Sequence, residues 1–230
     1  MKKFKLLLLF LLTPLFVAAQ ISSEDAEELN SRWQLLQSSS LNTAQLTFQH
    51  TNVRGTPYLF DDMVVGKIMF QGRWTEQFLG NYDIANNVIK LVRGTEEILI
   101  DGFKIDAAVL DDMNLKNNFP ADEDLEITKA DLMEVIYEGE NFSLLRKYNV
   151  NLREGQMTYS NATKNEYYDK TDFVALLRDG QYTKTKMKKR DILRLFEDQK
   201  KEIDNYAKKN KLKYDEKEDL AKILAFADSL

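Results

Sequence analysis

The chain has 230 residues, 43% of them hydrophobic and 30% charged, with a formal net charge of −5 and no cysteine. The lack of cysteine excludes disulfides, thiolate metal sites, a cysteine nucleophile and a lipidated cysteine, so the fold depends on its hydrophobic core. Residues 20–150 hold 11 basic and 22 acidic side chains, whereas residues 151–230 hold 18 and 15. This mostly acidic body argues against nucleic-acid binding, which needs a basic docking face.

The first 19 residues are typical of a secretory signal peptide. Three early lysines precede an apolar run from Leu6 to Val17, and Val17 and Ala19 supply the small side chains that signal peptidase selects. The apolar run is shorter than the ~20 residues needed to cross a bilayer. We therefore expect cleavage after Ala19, a mature chain that begins at Gln20, and export to the periplasm or beyond without a lipid anchor or a membrane span.

A short amphipathic helix is predicted within residues 20–40, where Ala26, Leu29, Trp33 and Leu36 recur at intervals of three or four. From about residue 43 the pattern changes to the alternation of apolar and polar residues that is typical of strands. Strands are predicted in AQLTFQ (44–49), MVVGKIMF (63–70), RWTEQFL (73–79), VIKLV (88–92) and EILIDGFKID (97–106). Because the intervening turns are too short for parallel crossovers, these strands are expected to be antiparallel.

Residues 111–131 are polar, acidic and interrupted by Pro120, which indicates a long loop or a boundary between two parts of the sheet. The acidic residues lack the spacing of a calcium-binding loop, so a solvated loop is favoured. Two further hairpins are predicted beyond this segment, one turning at Gly139 and one at Asp179-Gly180.

Two amphipathic helices are predicted in residues 187–230, one within 188–212 and one within 215–230, because apolar residues recur there at helical spacing among lysines and acids. The expected fold is therefore α+β. It combines the short N-terminal helix, an antiparallel curved sheet in residues 41–186 and the helical segment packed on it. The sheet, with roughly eight to ten strands, is a meander, a sandwich or a partial barrel.

Aromatic side chains are concentrated in the first hairpins and form the candidate ligand-binding set: Tyr58, Phe60, Phe70, Trp74, Phe78 and Tyr82. On a concave sheet face they could hold an acyl chain or a glycan; the alternative is a core covered by the terminal helices. Two of them lie in RGTPYLFDD (54–62). That stretch is interpreted as a corner at the start of a strand, because Gly55 permits a bend and Pro57 suits the first position of a strand.

The basic run KTKMKKR (184–190) is the candidate partner or surface contact, through Lys184, Lys186, Lys188, Lys189 and Arg190. Exported proteins use such clusters against anionic surfaces. The alternative is that the lysines form the outward side of a strand that leads into the helix.

No catalytic residue is indicated. The single histidine, His50, has no GxSxG motif to accompany it in a hydrolase triad. The acidic doublets at 61–62, 96–97 and 111–112 place neighbouring side chains on opposite faces of a strand, not across a cleft as a glycosidase requires. We expect no metal, no cofactor and no enzymatic activity.

Four segments together resemble a group of exported β-rich proteins of Bacteroidota-type bacteria with no assigned activity. They are GTPYLFDDMVVGKI (55–68), YDIANNVIKL (82–91), VIYEGENFSLLRK (135–147) and the tail from Lys189 to Leu224. The resemblance implies an exported β-rich domain with a helical tail and brings no catalytic residues.

The expected function is a non-catalytic binding or scaffold protein of the bacterial cell envelope. Its macromolecular partner is expected to be an envelope protein or a second copy of the chain. The alternative is a periplasmic carrier of a lipid or other apolar ligand held in the curved sheet.

Overall fold

A computed structural model describes residues 33–41, 53–154 and 166–230. The predicted signal peptide, the first part of the predicted N-terminal helix, the predicted strand at 44–49 and His50 lie outside these ranges. Residues 33–38 are helical and are called α1. Within the described ranges, no helix combines the length and the apolar character needed to cross a membrane.

The described residues contribute twelve strands to one curved sheet, in which nearly all neighbours are antiparallel. In chain order the strands are β1 (Val53–Arg54), β2 (Val64–Phe70), β3 (Arg73–Trp74), β4 (Phe78–Asp83), β5 (Val88–Arg93), β6 (Glu96–Asp101), β7 (Ala107–Leu110), β8 (Met113–Lys116), β9 (Met133–Glu138), β10 (Phe142–Glu154), β11 (Glu166–Arg178) and β12 (Gln181–Thr185). Their spatial order is β1-β11-β10-β9-β8-β7-β2-β4-β5-β6, with β3 beside β2 and β12 beside β11. The predicted α+β class with an antiparallel curved sheet is confirmed.

Two pairings in this sheet join segments that are distant in sequence. β4, β5 and β6 follow β2 on one of its edges, and β7 returns to pair with the other edge of β2. β1 pairs with β11 in parallel, at Val53 with Glu166 and Arg54 with Tyr167. The prediction of antiparallel pairing came from short turns between consecutive strands, so it did not apply to β1 and β11, which no short turn connects.

The segment predicted as a long loop or boundary, residues 111–131, contains β8. This strand pairs with β7 on one edge and β9 on the other, and Leu115 within it is fully buried. The sheet therefore includes the start of the segment, whereas residues 117–131 carry only an isolated bridge between Asp122 and Ile127. The four residues of β8, MNLK, are too few to show a convincing alternation, which is why the sequence pattern indicated a loop.

Apolar side chains form two large clusters. One lies on β2 and β4 to β8, where Ile68, Ile89 and Ile100 are fully buried and Leu36 of α1 packs with them. The other lies between β9 to β11 and the C-terminal helices. A smaller cluster containing Ile127, Met133 and Leu145 covers the opposite face of β9 and β10. β9 and β10 are therefore covered by apolar side chains on both faces.

The C-terminal segment contains three helices, α2 (Lys189–Arg194), α3 (Lys200–Lys209) and α4 (Lys217–Asp228). The first of the two predicted helices is thus divided at residues 195–199, where the chain turns. Phe196 in this turn is buried, with its ring 5.1 Å from the ring of Phe142. The turn places Phe196 on the sheet and allows α3 to pack against α4.

The end of α4 is fixed to the turn between β9 and β10. The carboxylate of Asp228 accepts hydrogen bonds from the hydroxyl of Tyr137 (2.9 Å) and the backbone N–H groups of Glu140 (2.8 Å) and Asn141 (3.2 Å). Together with the buried apolar face of α4, these bonds hold the helical segment on the sheet.

Candidate functional site

A cleft of about 650 Å³ opens where β12 ends and the chain turns into α2. It is lined by residues 172–174 of β11, residues 184–187 and α2. Five basic side chains line it, namely Arg146, Lys184, Lys186, Arg190 and Arg194, and two acidic ones, Asp172 and Asp191. The lining therefore carries a formal excess of three positive charges.

Local sequence features create the cleft. The β11–β12 hairpin turns at Asp179 and Gly180, whose φ angles of +52° and +76° suit a tight two-residue turn. β12 ends at Thr185 while β11 continues in the other direction, so the chain leaves the sheet edge there. In α2, Ile192 and Leu193 are buried in the core. Because those residues face the sheet, the arginines of α2 lie at the cleft and at the surface.

Arg146 of β10 lies in the cleft, and its guanidinium is held by several groups. Nη1 lies 3.2 Å from Oε2 of Glu134 and donates to the Tyr148 hydroxyl at 3.4 Å, and Nε lies 3.5 Å from Oδ2 of Asp172. Nη2 contacts Sδ of Met187 at 2.7 Å. Burial lowers the pKa of Arg146, but its bond to Tyr148 and the charges of Glu134 and Asp172 outweigh burial and raise the pKa. Arg146 is thus a positioned, permanent cation.

Glu134 of β9 connects Arg146 to α4. Its side chain is 1% exposed, and Oε2 also accepts a 2.7 Å hydrogen bond from the hydroxyl of Tyr148. Nζ of Lys217 forms ion pairs with Oε1 of Glu134 at 3.3 Å and with Oδ2 of Asp112 at 3.0 Å. The contact with Glu134 does not have the geometry of a hydrogen bond. The buried carboxylate therefore has two cationic neighbours, one in the cleft and one on α4.

The rim of the cleft is formed by two arginines that share one carboxylate. Oδ1 of Asp191 lies 3.1 Å from Nη2 of Arg194 and 3.7 Å from Nε of Arg190. The Asp191 side chain is 10% exposed, whereas the two arginine side chains are 65% and 89% exposed. Since each guanidinium has five N–H donors, most donors of this pair remain directed to solvent. A second hollow, lined by Arg190, Arg194, Glu197 and Lys200, adjoins the cleft.

The structure brings three of the five predicted contact residues to the cleft: Lys184, Lys186 and Arg190. Nζ of Lys184 also lies 4.4 Å from the ring centroid of Phe173. Lys188 is the residue before α2, and Lys189 pairs with Asp204 at 2.6 Å. The simple alternation proposed for these lysines ends with β12 at Thr185.

Sequence reasoning missed Arg146 and Arg194. Arg146 directly follows the buried pair Leu144 and Leu145 in β10. A charged residue inside an apolar strand is a signal, because burial of a charge requires a partner. Arg194 lies four residues after Arg190, and this spacing places both on one side of a helix. These signals were present in the sequence, but the sequence did not show that they meet.

The predicted aromatic set is divided between several environments. Phe78 and Tyr82 are buried in the cluster on β2 and β4 to β8, and Phe60 and Phe70 pack against it. The Trp74 ring lies 4.7 Å from Nζ of Lys67, and Tyr58 forms an isolated bridge with Asp83. A hollow next to Phe78 measures only about 20 Å³. Phe78 lines this hollow, whereas Tyr82 lines a separate polar hollow of about 280 Å³.

The stretch RGTPYLFDD is fixed to β4 by Asn81. The side-chain amide of Asn81 donates to the carbonyl oxygens of Phe60 (2.9 Å) and Asp62 (3.0 Å), and its oxygen accepts from the N–H of Phe60 (3.2 Å). Pro57 is buried, and Gly55 has a φ of +78°. These contacts are typical of a corner between two strands. Nothing in the sequence indicated that Asn81 would hold this corner in place.

A polar hollow of about 280 Å³ lies beside Lys147. Nζ of Lys147 pairs with Asp131 at 2.7 Å and donates to the carbonyl of Glu126. The Lys147 side chain is therefore engaged in holding the 126–131 segment. Among the residues that the structure describes, there is no group of three potential metal ligands.

Comparison with protein-family models, with curated proteins and with solved structures finds no significant match. The fold and the cleft therefore provide the physical basis for a functional proposal. They define an α+β protein with one large antiparallel sheet and a basic cleft at the junction of sheet and helices.

Proposed function

We propose that the protein is an exported, non-catalytic binding protein of the bacterial cell envelope whose cleft between β12 and α2 holds an anionic group of its partner. The observation that carries the proposal is the clustering of five basic and two acidic side chains around one cleft. The chain as a whole has a formal net charge of −5. The positive cleft is therefore a local concentration of charge that opposes the overall composition.

The chemistry of the cleft suits carboxylates and phosphates. Guanidinium groups present planar pairs of N–H donors that match both anions. Arg146 is held by Glu134, Tyr148 and Asp172 before any ligand arrives. Because its side chain is already ordered, little conformational entropy is lost when it binds. Arg190 and Arg194 provide additional donors at the rim.

The dimensions favour an anionic ligand over the alternative apolar carrier. A volume of about 650 Å³ is in the range of ligand sites, which is roughly 300–1,000 Å³. The hollow beside Phe78, one of the six predicted aromatics, has room for about one water molecule, at about 20 Å³. An acyl chain would have to displace the packed side chains of Phe78 and its neighbours.

The remaining parts of the proposal have separate support. Export is supported by the signal-peptide pattern of residues 1–19 and by the resemblance to exported proteins. The proposed absence of catalysis is supported by the sequence, in which the single histidine, His50, has no GxSxG motif to accompany it in a hydrolase triad.

The proposal is tested by titrating the mature protein with citrate and with inorganic phosphate while backbone amide NMR shifts are recorded. We expect saturable shifts at residues 184–194, and weaker binding as salt is added, because salt screens exposed charges. The double variant Lys186→Glu/Arg190→Glu should bind at least tenfold more weakly. The matched control, Lys201→Glu/Lys209→Glu, makes the same change of charge at exposed positions outside the cleft and should bind within twofold of the wild type.

Two results would contradict the proposal. If both double variants lose the same affinity, the anion responds to net charge and not to the cleft. If neither citrate, phosphate nor an acidic peptide shifts the amides of residues 184–194, the cleft does not bind anions.

A further inference from the structure

The edge of β11 beside the cleft has no partner strand among the described residues. β1 pairs with β11 at Glu166 and Tyr167, and β12 pairs with it from Val174 to Arg178. Residues 169–173 lie between these two pairings, and on their other side they pair with β10. Five residues of β strand span about 17 Å at ~3.4 Å per residue. The edge is thus long enough to accept a short additional strand.

The register shows which backbone groups face this edge. Arg178 and Gln181 flank a two-residue turn, so they form a hydrogen-bonded pair and the backbone groups of Arg178 point towards β12. Every second residue of a strand directs its N–H and C=O to the same side. The register of β11 with β10 continues without a bulge. Lys170 and Asp172 therefore direct their backbone N–H and C=O groups to the same edge of β11 that β12 occupies further along the strand.

This edge leads directly into the basic cleft. Asp172 is exposed and lines the cleft together with Phe173 and Val174. Charged edge side chains often block strand addition, but here the ammonium of Lys170 already has a partner, because it donates to the carbonyl of Tyr58 at 3.1 Å. Backbone donors and acceptors and an excess of positive charge therefore lie next to each other.

We propose that the partner of this site is an extended acidic peptide segment that adds as a strand to β11 at residues 169–173, with its carboxylates at Arg190 and Arg194. This inference rests on the proposed function, because the same cleft supplies the charge. In strand addition, main-chain hydrogen bonds give affinity and side-chain contacts give specificity. A small anion or a lipid headgroup uses the charges alone and leaves the backbone groups of Lys170 and Asp172 unused.

The test uses a fluorescein-labelled peptide of eight residues with alternating glutamate and threonine, measured by fluorescence anisotropy against the mature wild-type protein. Two further peptides carry N-methyl groups, one on every glutamate nitrogen and the other on every threonine nitrogen. In an added strand, only every second residue directs its backbone N–H and C=O groups towards β11. Therefore only one of the two methylated peptides loses its hydrogen bonds to the backbone of Lys170 and Asp172. Losing two such hydrogen bonds corresponds to a loss of at least tenfold in affinity.

The expected result is that one methylated peptide binds at least tenfold more weakly than the parent, while the other stays within twofold. Lys186→Glu/Arg190→Glu should weaken the parent peptide at least tenfold, and the control Lys201→Glu/Lys209→Glu should not. The folding of the protein is unaffected in the decisive comparison, because only the peptide changes.

Four outcomes would overturn the inference. If both methylated peptides bind like the parent, or if citrate binds and the peptide does not, the cleft binds anions without strand addition and the proposed function stands. If neither citrate nor the peptide binds, the proposed function fails as well. If the protein alone dimerises in sedimentation experiments and Arg190→Glu abolishes the dimer, the occupant is a second copy of the chain.

Discussion

Replacement of Lys217 by methionine tests whether the buried carboxylate of Glu134 is stabilised by α4. In the structure, Nζ of Lys217 lies 3.3 Å from Oε1 of Glu134, whose side chain is 1% exposed. Methionine keeps much of the length of the lysine side chain and removes its charge. Glu134 then retains one cationic neighbour, Arg146 at 3.2 Å, and the hydroxyl of Tyr148 at 2.7 Å.

The expected cost follows from the burial of each partner. Removal of one member of a fully buried ion pair costs about 3–5 kcal/mol, because a charge is left uncompensated. Here Arg146 still compensates Glu134, and the Lys217 side chain is 27% exposed, so solvent screens part of the interaction. We therefore expect Lys217→Met to lower the free energy of unfolding by about 2 kcal/mol.

Urea denaturation followed by circular dichroism measures this loss, and a double-mutant cycle assigns it to the pair. Glu134→Gln removes the charge that Lys217 compensates. The two substitutions together should therefore cost less than the sum of their separate costs, by about 1 kcal/mol or more. A cost below about 0.5 kcal/mol for Lys217→Met, or additive costs in the cycle, would refute the assignment.

The contribution of Lys217 to the free energy of unfolding changes with pH in a defined direction. Burial lowers the pKa of Lys217, but the hydrogen bond to Asp112 and the charge of Glu134 outweigh it, so the pKa lies above the ordinary value of 10.5. A group whose pKa is raised on folding stabilises the folded state below its unfolded pKa and loses that contribution as pH rises through its folded pKa. The difference between wild type and Lys217→Met should therefore be constant near neutral pH and decrease above about pH 10.5.

Three further predictions concern other parts of the molecule. An alanine Cβ at Gly66 would lie 2.6 Å from Cδ2 of Leu110 and 2.7 Å from the carbonyl oxygen of Val109; Gly66→Ala should cost about 1–3 kcal/mol in urea denaturation, and an unchanged midpoint would contradict this packing. Asp228→Asn should cost about 1–2 kcal/mol at pH 7. Burial raises the pKa of Asp228, but hydrogen bonds from Tyr137 and the 140–141 turn outweigh burial and lower it. The cost should therefore disappear as acid protonates Asp228, and a pH-independent difference would argue against these bonds. Finally, when the full chain is expressed in a bacterium with a periplasm, the intact mass of the product should be that of a chain starting at Gln20. A product that retains residues 1–19 would contradict the signal-peptide assignment.

Much of the fold was accessible to sequence reasoning because its signals are local. Turn pairs such as Gln71-Gly72 and Asp179-Gly180 adopt positive φ angles, which bring the next strand back beside the previous one. Alternation then identifies the buried face of each strand. The same reasoning located the end of the sheet and the start of the helical segment near residue 187.

The pairing of distant segments was not accessible. β2 pairs with β7 although four strands, β3 to β6, intervene in the sequence, and no local pattern distinguishes this from a continuous meander. β8 was missed because it is short and only Leu115 in it is buried. Likewise, the amide of Asn81 fixes the stretch RGTPYLFDD to β4 from 19 to 21 residues away, so an ordinary polar residue became structurally important only through the tertiary contact.

The candidate site shows the same division. The sequence by itself determined the basic run of residues 184–190, the strand and helix on either side of it, and the lack of cysteine. Only the tertiary structure brought Arg146 from β10 and Arg194 from α2 to the same cleft, and only it left residues 169–173 of β11 without a second partner strand among the residues it describes. The physical reason is that periodicity and turn chemistry act between near neighbours, whereas a cleft depends on the burial and pairing of side chains that meet only after the strands and helices have packed together.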